Sequence, residues 1–171
     1  AYPWKRAIVN AWRGDDGMLG YFPGYHCHHN PQTKFAASSR IAGAPLGFVY
    51  HRNKPLKSWT ALEELKGTKI GYVKGYASTE KFEALEKNKT LTVRRTSVDL
   101  TNLVMLGGGR LDAVLVDKFV FQFLMNTEDR LKKHRKDLFF ADKALEQKNL
   151  FLCLRDDAEG QALLKEINAG L

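Results

Sequence analysis

The chain has 171 residues and a formal net charge of +8 at pH 7; 44% of its residues are hydrophobic and 27% are charged. This length and apolar content allow a buried core in one or two domains. No apolar run reaches the roughly 18 residues that a membrane-spanning helix requires. The basic residues are scattered, and the densest run, residues 130–136, is typical of a solvated helix end. We therefore expect no nucleic-acid partner.

Helical and strand patterns alternate along the chain. Apolar residues at positions 4, 7, 8, 11 and 12 have the spacing of an amphipathic helix, which we predict over residues 3–12. The further predictions, in chain order, are strands built on 17–22 and 45–50, a short helix over 59–65 capped by Ser58, strand 68–73, helix 78–87, strand 91–93, helix 98–106, strand 111–116, helix 117–125, strands 138–140 and 150–154, and helix 158–169. This alternation predicts an α/β fold with mostly parallel sheets.

Two of the predicted strands end in polar segments suited to holding a ligand. The first strand runs into residues 75–79, where Ser78 and Thr79 are candidate caps for the next helix. A helix N-terminus attracts anions because it presents unpaired N–H groups and partial positive charge. The second strand ends at Asp117, a carboxylate placed where strand meets loop. Because both segments lie at C-terminal strand ends, they predict a site for a small zwitterion.

Four motifs, in order along the chain, carry a resemblance to a known family. They are PLGFVYHR at 45–52, PLKSWTALEELKGTKIGYVKGY at 55–76, LGGGRLDAVLVD at 106–117 and LFLCLRDDAEGQALLKEINAGL at 150–171. On these motifs the chain resembles the solute-binding proteins of bacterial ABC importers, in particular the type 2 amino-acid-binding family (extracellular solute-binding protein family 3). The resemblance implies a two-lobed α/β fold of the type 2 periplasmic-binding-protein class, with a ligand cleft between the lobes and two crossing strands as a hinge.

The resemblance also divides the chain into lobes. It assigns residues 1–50 and 138–171 to the first lobe and residues 51–137 to the second. Family members begin with a strand–helix–strand unit that has no counterpart here, so we expect an incomplete first lobe whose unpaired strand edge favours self-association. Residues 1–6 lack the apolar segment of a signal peptide. With the resemblance, this predicts a mature or trimmed form of a periplasmic, or extracellular and membrane-anchored, protein.

The function that the family implies is reversible binding of a small polar solute, an amino acid or a related compound, and its delivery to a membrane permease. We predict no cofactor and no enzymatic activity, because the sequence shows no evident nucleophile–base pair. Two alternatives stay open. One is an enzyme similar to the cyclohexadienyl dehydratases, with Glu80 as the acid nearest the site loop besides Asp117. The other is the ligand-sensing ectodomain of a receptor.

The resemblance assigns the site residues. It implies that Asp117 pairs with the amino group of the ligand, although an aspartate at that position is equally suited to cap the following helix. Family members usually hold the ligand carboxylate with an arginine in the region matching residues 25–34; this chain has no arginine there, and Lys34 is the charge available. The loop residues that we predict to contact the ligand are Gly75, Tyr76, Ser78 and Thr79.

The remaining polar feature is the run His26-Cys27-His28-His29. Imidazole and thiolate are ligands for Zn, Cu or Ni, but adjacent residues cannot all converge on one ion. We therefore predict no metal site and keep His26, His28 and His29 only as candidates. Cys153 lies in an apolar strand and is interpreted as a buried small hydrophobic residue. A bridge between Cys27 and Cys153 is an alternative for which the sequence offers no argument.

Overall fold

The computed structural model describes residues 2, 4–27 and 33–171, which form two compact units. The terminal unit comprises Ala1–Ala44 and Lys148–Leu171, and the central unit comprises Pro45–Gln147. Within the described ranges, none of the helices combines the length and apolar character needed to cross a bilayer.

The terminal unit is built on antiparallel strands. Its elements are helix α1 (Trp4–Arg13), strands β1 (Gly20–Gly24) and β2 (Phe35–Ala37), the end of strand β7 (Leu138–Arg155) and helix α5 (Ala158–Gly170), with a 3-10 turn at Asp15–Gly17. Both β1 and β2 pair antiparallel with β7. Rings of Trp4, Tyr21 and Phe35 pack edge to face in its core.

The central unit holds a mixed sheet whose strand order is β3-β6-β4-β5. Its strands are β3 (Ala42–His51, shared with the terminal unit), β4 (Lys69–Val73), β5 (Thr92–Thr96) and β6 (Ala113–Asp117). Its helices are α2 (Glu80–Lys87), α3 (Asp99–Gly107) and α4 (Lys118–Thr127), with 3-10 turns at Leu62–Leu65 and Asp129–His134. Strand β4 is parallel to both β5 and β6, whereas β3 is antiparallel to β6.

Apolar cores cover both faces of this sheet. Ala113 and Leu115 of β6 belong to one cluster of buried residues, and the alternate residues Val114 and Val116 belong to another. Successive side chains of a strand point to opposite faces, so the two clusters lie on opposite sides of β6. A strand that is buried on both faces is continuously apolar, which is why the sequence of β6 reads as an unbroken hydrophobic run.

Several sequence predictions need correction. The sheets are mixed rather than mostly parallel, because β1, β2, β3 and β7 all pair antiparallel. The predicted strands 138–140 and 150–154 are one strand, β7, whose middle is too polar to show strand alternation. Strand β1 is shifted from the predicted 17–22, since it begins at Gly20, continues through Pro23 and ends at Gly24. Ser58 does not cap the short helix: the carboxylate of Glu64 accepts from the N–H groups of Thr60 and Ala61 instead.

Cys27 and Cys153 form a disulfide, so the simpler interpretation of Cys153 as a free buried thiol is wrong. The reason is the register of β1 on β7, which places Tyr21 opposite Cys153. The chain turns after Gly24, and the Cα atoms of the two cysteines are 5.3 Å apart. That separation lies within the range of native disulfides, and the bond ties the loop after β1 to β7.

Candidate functional site

The three parallel strands of the central unit end at the same edge of the sheet. Strand β4 is followed by the loop 74–79, β5 is followed after two residues by the start of α3 at Asp99, and β6 ends at Asp117. The carboxyl ends of parallel strands are the usual place for ligand sites in open α/β sheets. We call this edge the strand-end site and define it by the residues Gly75, Tyr76, Ser78, Thr79, Asp99 and Asp117.

The loop 74–79 is held in a defined conformation. Gly75 has φ of +90°, a conformation that favours glycine. The hydroxyl of Tyr72, on the buried strand β4, donates to the carbonyl oxygen of Ala77 at 2.6 Å. Thr79 Oγ1 accepts from the N–H of Phe82 at 3.1 Å, which confirms the prediction that Thr79 caps α2. The loop therefore delivers Tyr76 and the N-terminus of α2 to the strand-end site.

Asp117 lies at the junction of β6 and α4. The residue is 9% exposed, and its Oδ1 accepts from the N–H groups of Phe119 at 2.8 Å and Val120 at 3.2 Å. The role as a helix cap, which the sequence left open, is therefore confirmed. Binding of a ligand amino group by the same carboxylate stays a prediction.

Asp99 belongs to the strand-end site and was missed from the sequence. The hydroxyl of Tyr76 donates to Asp99 Oδ2 at 3.1 Å. Asp99 is 5% exposed, and its Oδ1 has no hydrogen-bond partner among the residues that the structure describes. Burial raises the pKa of Asp99 to about 6, and the nearby charge of Asp117 acts in the same direction. The available signal was its position shortly after β5, comparable with the position of Asp117 at the end of β6.

The buried Tyr72 and the partly buried Tyr76 complete the surroundings of these acids. Burial raises the pKa of Tyr76, and the carboxylates of Asp99 and Asp117 raise it further. Burial likewise raises the pKa of Tyr72, so both phenols keep their protons at neutral pH. Tyr76 is thus a hydrogen-bond donor that touches one carboxylate and is electrostatically coupled to the other.

The other candidate residues lie outside the defined strand-end site. Lys34 belongs to the terminal unit, directly before β2, and its carbonyl oxygen accepts from the N–H of Asp156 at 3.0 Å; its role toward a ligand stays a prediction. Glu80, the acid of the enzyme alternative, is the exposed first residue of α2. His28 and His29 fall outside the described residues, and no group of three or more potential metal ligands occurs among those that are described, His26 included.

Asp112 has a structural role. Its Oδ1 accepts from Lys54 Nζ at 2.6 Å, and its Oδ2 accepts from the N–H of Lys69 at 2.9 Å. Burial acts to raise the pKa of Asp112, but these hydrogen bonds outweigh it and the pKa is lowered. Asp112 therefore fixes the chain directly before β6 to Lys54 and to the start of β4. Because its role is structural, it is a matched control for the acids of the strand-end site.

No protein-family model matches the chain, and no curated protein matches its sequence. Among solved structures, the chain is similar to an arginine-bound glycine-to-alanine mutant of ArgBP from T. maritima, with a TM-score of 0.62 and 22% identity, covering 79% of this chain and 57% of that one. It is also similar to a histidine kinase sensor domain with similarity to periplasmic binding proteins, with a TM-score of 0.75 and 14% identity, covering 98% of this chain and 68% of that one.

A third similar structure is the substrate binding protein of an amino acid ABC transporter, with a TM-score of 0.70 and 17% identity, covering 98% of this chain and 69% of that one. The chain thus spans 57% of the ArgBP chain and about two thirds of the other two. At these identities the comparisons establish the fold alone. The predicted fold class is confirmed: this chain has the α/β fold of the periplasmic binding proteins.

Proposed function

We propose that this protein is the solute-binding component of an ABC transporter and reversibly binds an amino acid or a related small zwitterion. The observation that carries the proposal is the strand-end site, where a buried carboxylate, Asp117, and the N-terminus of α2 lie at the same edge of the sheet. The similar structures support it, since one is an arginine-bound protein and another is the substrate binding protein of an amino acid ABC transporter.

In this proposal the two charged ends of the ligand have separate partners. Asp117 accepts from the ligand ammonium, because it is an almost fully buried carboxylate at the C-terminal end of β6. The ligand carboxylate lies at the start of α2, within reach of Ser78, Thr79 and the backbone N–H groups behind them. Gly75 allows close approach of the loop backbone, Tyr76 offers its ring, and Lys34 adds positive charge from the first lobe.

The wider proposal follows the lobe division drawn from the sequence, 1–50 and 138–171 against 51–137, with the ligand held in the cleft between the lobes. The bound solute is passed to a membrane permease, and the protein works in the periplasm or outside the cell. The Cys27–Cys153 disulfide supports an extracytoplasmic location, because such bonds persist in oxidising compartments. Self-association through the first lobe is part of the same proposal.

A sensor ectodomain is the second candidate. The histidine kinase sensor domain, whose TM-score to this chain is 0.75, favours it. Both candidates use the same ligand site and differ in what receives the signal of binding. The neighbouring genes separate them: a permease gene supports the transporter component, and a kinase gene joined to this sequence supports the sensor.

Calorimetric titration of the chain with the common L-amino acids tests the proposal. We expect at least one of them to bind, and Asp117→Asn to weaken its binding by roughly 30-fold or more, because removing one partner of a desolvated charge pair costs about 2–5 kcal/mol. Asparagine retains the helix cap, so the fold is preserved. The matched control Asp112→Asn should leave the affinity unchanged. Equal affinities in the wild type and both variants would show that Asp117 is only a cap.

A further inference from the structure

We propose that Asp99 supplies the strand-end site with a second carboxylate for a cationic group, so that the preferred ligand carries two positive groups, as a basic amino acid does. This inference rests on the proposed function and adds the class of ligand. No sequence motif assigns Asp99 a role, and the case for it comes from its surroundings in the structure.

The first argument is the burial of an incompletely bonded acid. Asp99 is almost fully buried, yet its Oδ1 has no hydrogen-bond partner in the described part of the chain. Its other oxygen is fixed by the Tyr76 hydroxyl, which belongs to the site loop. A buried carboxylate normally accepts several hydrogen bonds or pairs with a cation, because burying it without them is costly. The remaining oxygen of Asp99 is therefore positioned for a donor that comes with the ligand.

The second argument is the sign of the charges around Asp99. The titratable groups that act on it are Tyr76, from the loop after β4, and Asp117, from the end of β6; Tyr72 of β4 is coupled to it as well. Two of these groups are neutral phenols at neutral pH, and the third is another acid. Among the described residues, no lysine, arginine or histidine contributes to the pKa of Asp99.

These charges define the chemistry of the ligand. A single ammonium placed against Asp117 balances one carboxylate and leaves Asp99 uncompensated. A second cationic group at the far end of the ligand, an ammonium or a guanidinium, balances Asp99 and donates to its Oδ1. The anionic end of the ligand then lies at the start of α2, as proposed above. Among amino acids, arginine and lysine have this distribution of charge.

The test uses cationic ligands and their neutral counterparts of similar shape: L-arginine against L-citrulline, and L-lysine against L-norleucine. Each is titrated calorimetrically into the wild type, Asp99→Asn and the control Asp112→Asn at pH 8. In at least one of the two pairs, we expect the wild type to bind the cationic amino acid at least tenfold more tightly than its neutral counterpart. Asp99→Asn should remove that preference, whereas Asp112→Asn should keep it.

A measurement without any substitution guards against a variant that fails to fold. As the pH falls from 8 to 5, Asp99 becomes protonated, since its pKa is raised to about 6. The preference of the wild type for the cationic member should then decrease about tenfold. The affinities for citrulline and norleucine, which lack the second positive charge, should not decrease over the same pH range.

The outcomes separate this inference from the proposed function. If the wild type binds cationic and neutral members equally, while Asp117→Asn still weakens both, the amino-acid site stands and the role of Asp99 is refuted. A preference that survives in a folded Asp99→Asn variant also refutes it. If none of the common amino acids binds, the proposed function fails, and the inference fails with it.

Discussion

Replacing Asp99 with asparagine should make the protein more stable at neutral and alkaline pH. The pKa of Asp99 is raised from its ordinary 3.8 to about 6, because burial disfavours the charged form. The folded state therefore holds this proton more tightly than the unfolded state. The contribution of Asp99 to the free energy of unfolding is fully present below pH 4 and is lost as the pH rises toward 6. Asparagine resembles the protonated side chain, so the variant avoids that loss.

The size of the effect follows from the pKa difference. A shift from 3.8 to about 6 corresponds to about 3 kcal/mol of unfolding free energy above pH 6. For a chain of this length, that corresponds to an increase in melting temperature of roughly 6–12 °C at pH 8. At pH 4 the variant and the wild type should have nearly equal stability. Tyr76 can still donate to the side-chain oxygen of the asparagine, so its hydrogen bond is retained.

Urea unfolding at pH 4, 6 and 8, followed by circular dichroism, measures the difference. Asp112→Asn is the matched control with the opposite sign, because the pKa of Asp112 is lowered. That variant should be less stable than the wild type by a nearly constant amount from pH 8 to pH 4, because the lowered pKa of Asp112 lies below this range. A constant difference between Asp99→Asn and the wild type across this range would refute the reasoning. Such a result would mean that the Asp99 carboxylate is paired with a cation or is hydrated in the folded protein, so that its pKa is not raised.

Two further predictions concern features outside Asp99 and Asp117. Replacing both Cys27 and Cys153 with serine should destabilise the terminal unit by about 2–5 kcal/mol. Thermal unfolding of the wild type with and without a thiol reductant measures the same loss. An equal melting temperature of the wild type in both conditions would contradict the prediction. Glu80→Gln should change ligand affinity less than threefold, because Glu80 is exposed at the start of α2. A variant that binds prephenate or arogenate normally but loses its turnover would instead establish the dehydratase alternative.

The sequence predicted the elements whose signals are local. Strand β4, its loop and α2 were recognised because an apolar run is followed directly by Thr79, a favoured helix cap. Strand β6 and Asp117 were recognised for the same reason. These signals depend on residues within a few positions of one another, so the chain itself displays them.

The features that the sequence missed depend on distant residues. Asp99 resembles an ordinary polar residue at a helix start, and its burial becomes visible only once Tyr76 packs against it, 23 residues away. The disulfide depends on the register of β1 against β7, which brings together cysteines that are 126 residues apart. The polar middle of β7 belongs to a strand because of its neighbours in the sheet, and its own composition gives no such indication.

The disulfide also changes the covalent topology of the chain. Because Cys27 and Cys153 are joined, every peptide bond between them lies in a closed ring, and that ring contains the entire central unit. A single protease cut anywhere in the ring opens it without releasing a fragment. The nicked protein should migrate as one band under non-reducing denaturing conditions and as two under reducing conditions. The two strands that connect the central unit to the rest of the chain thus stay covalently linked after such a cut. In a chain that lacked the disulfide, the same cut would produce two separate fragments.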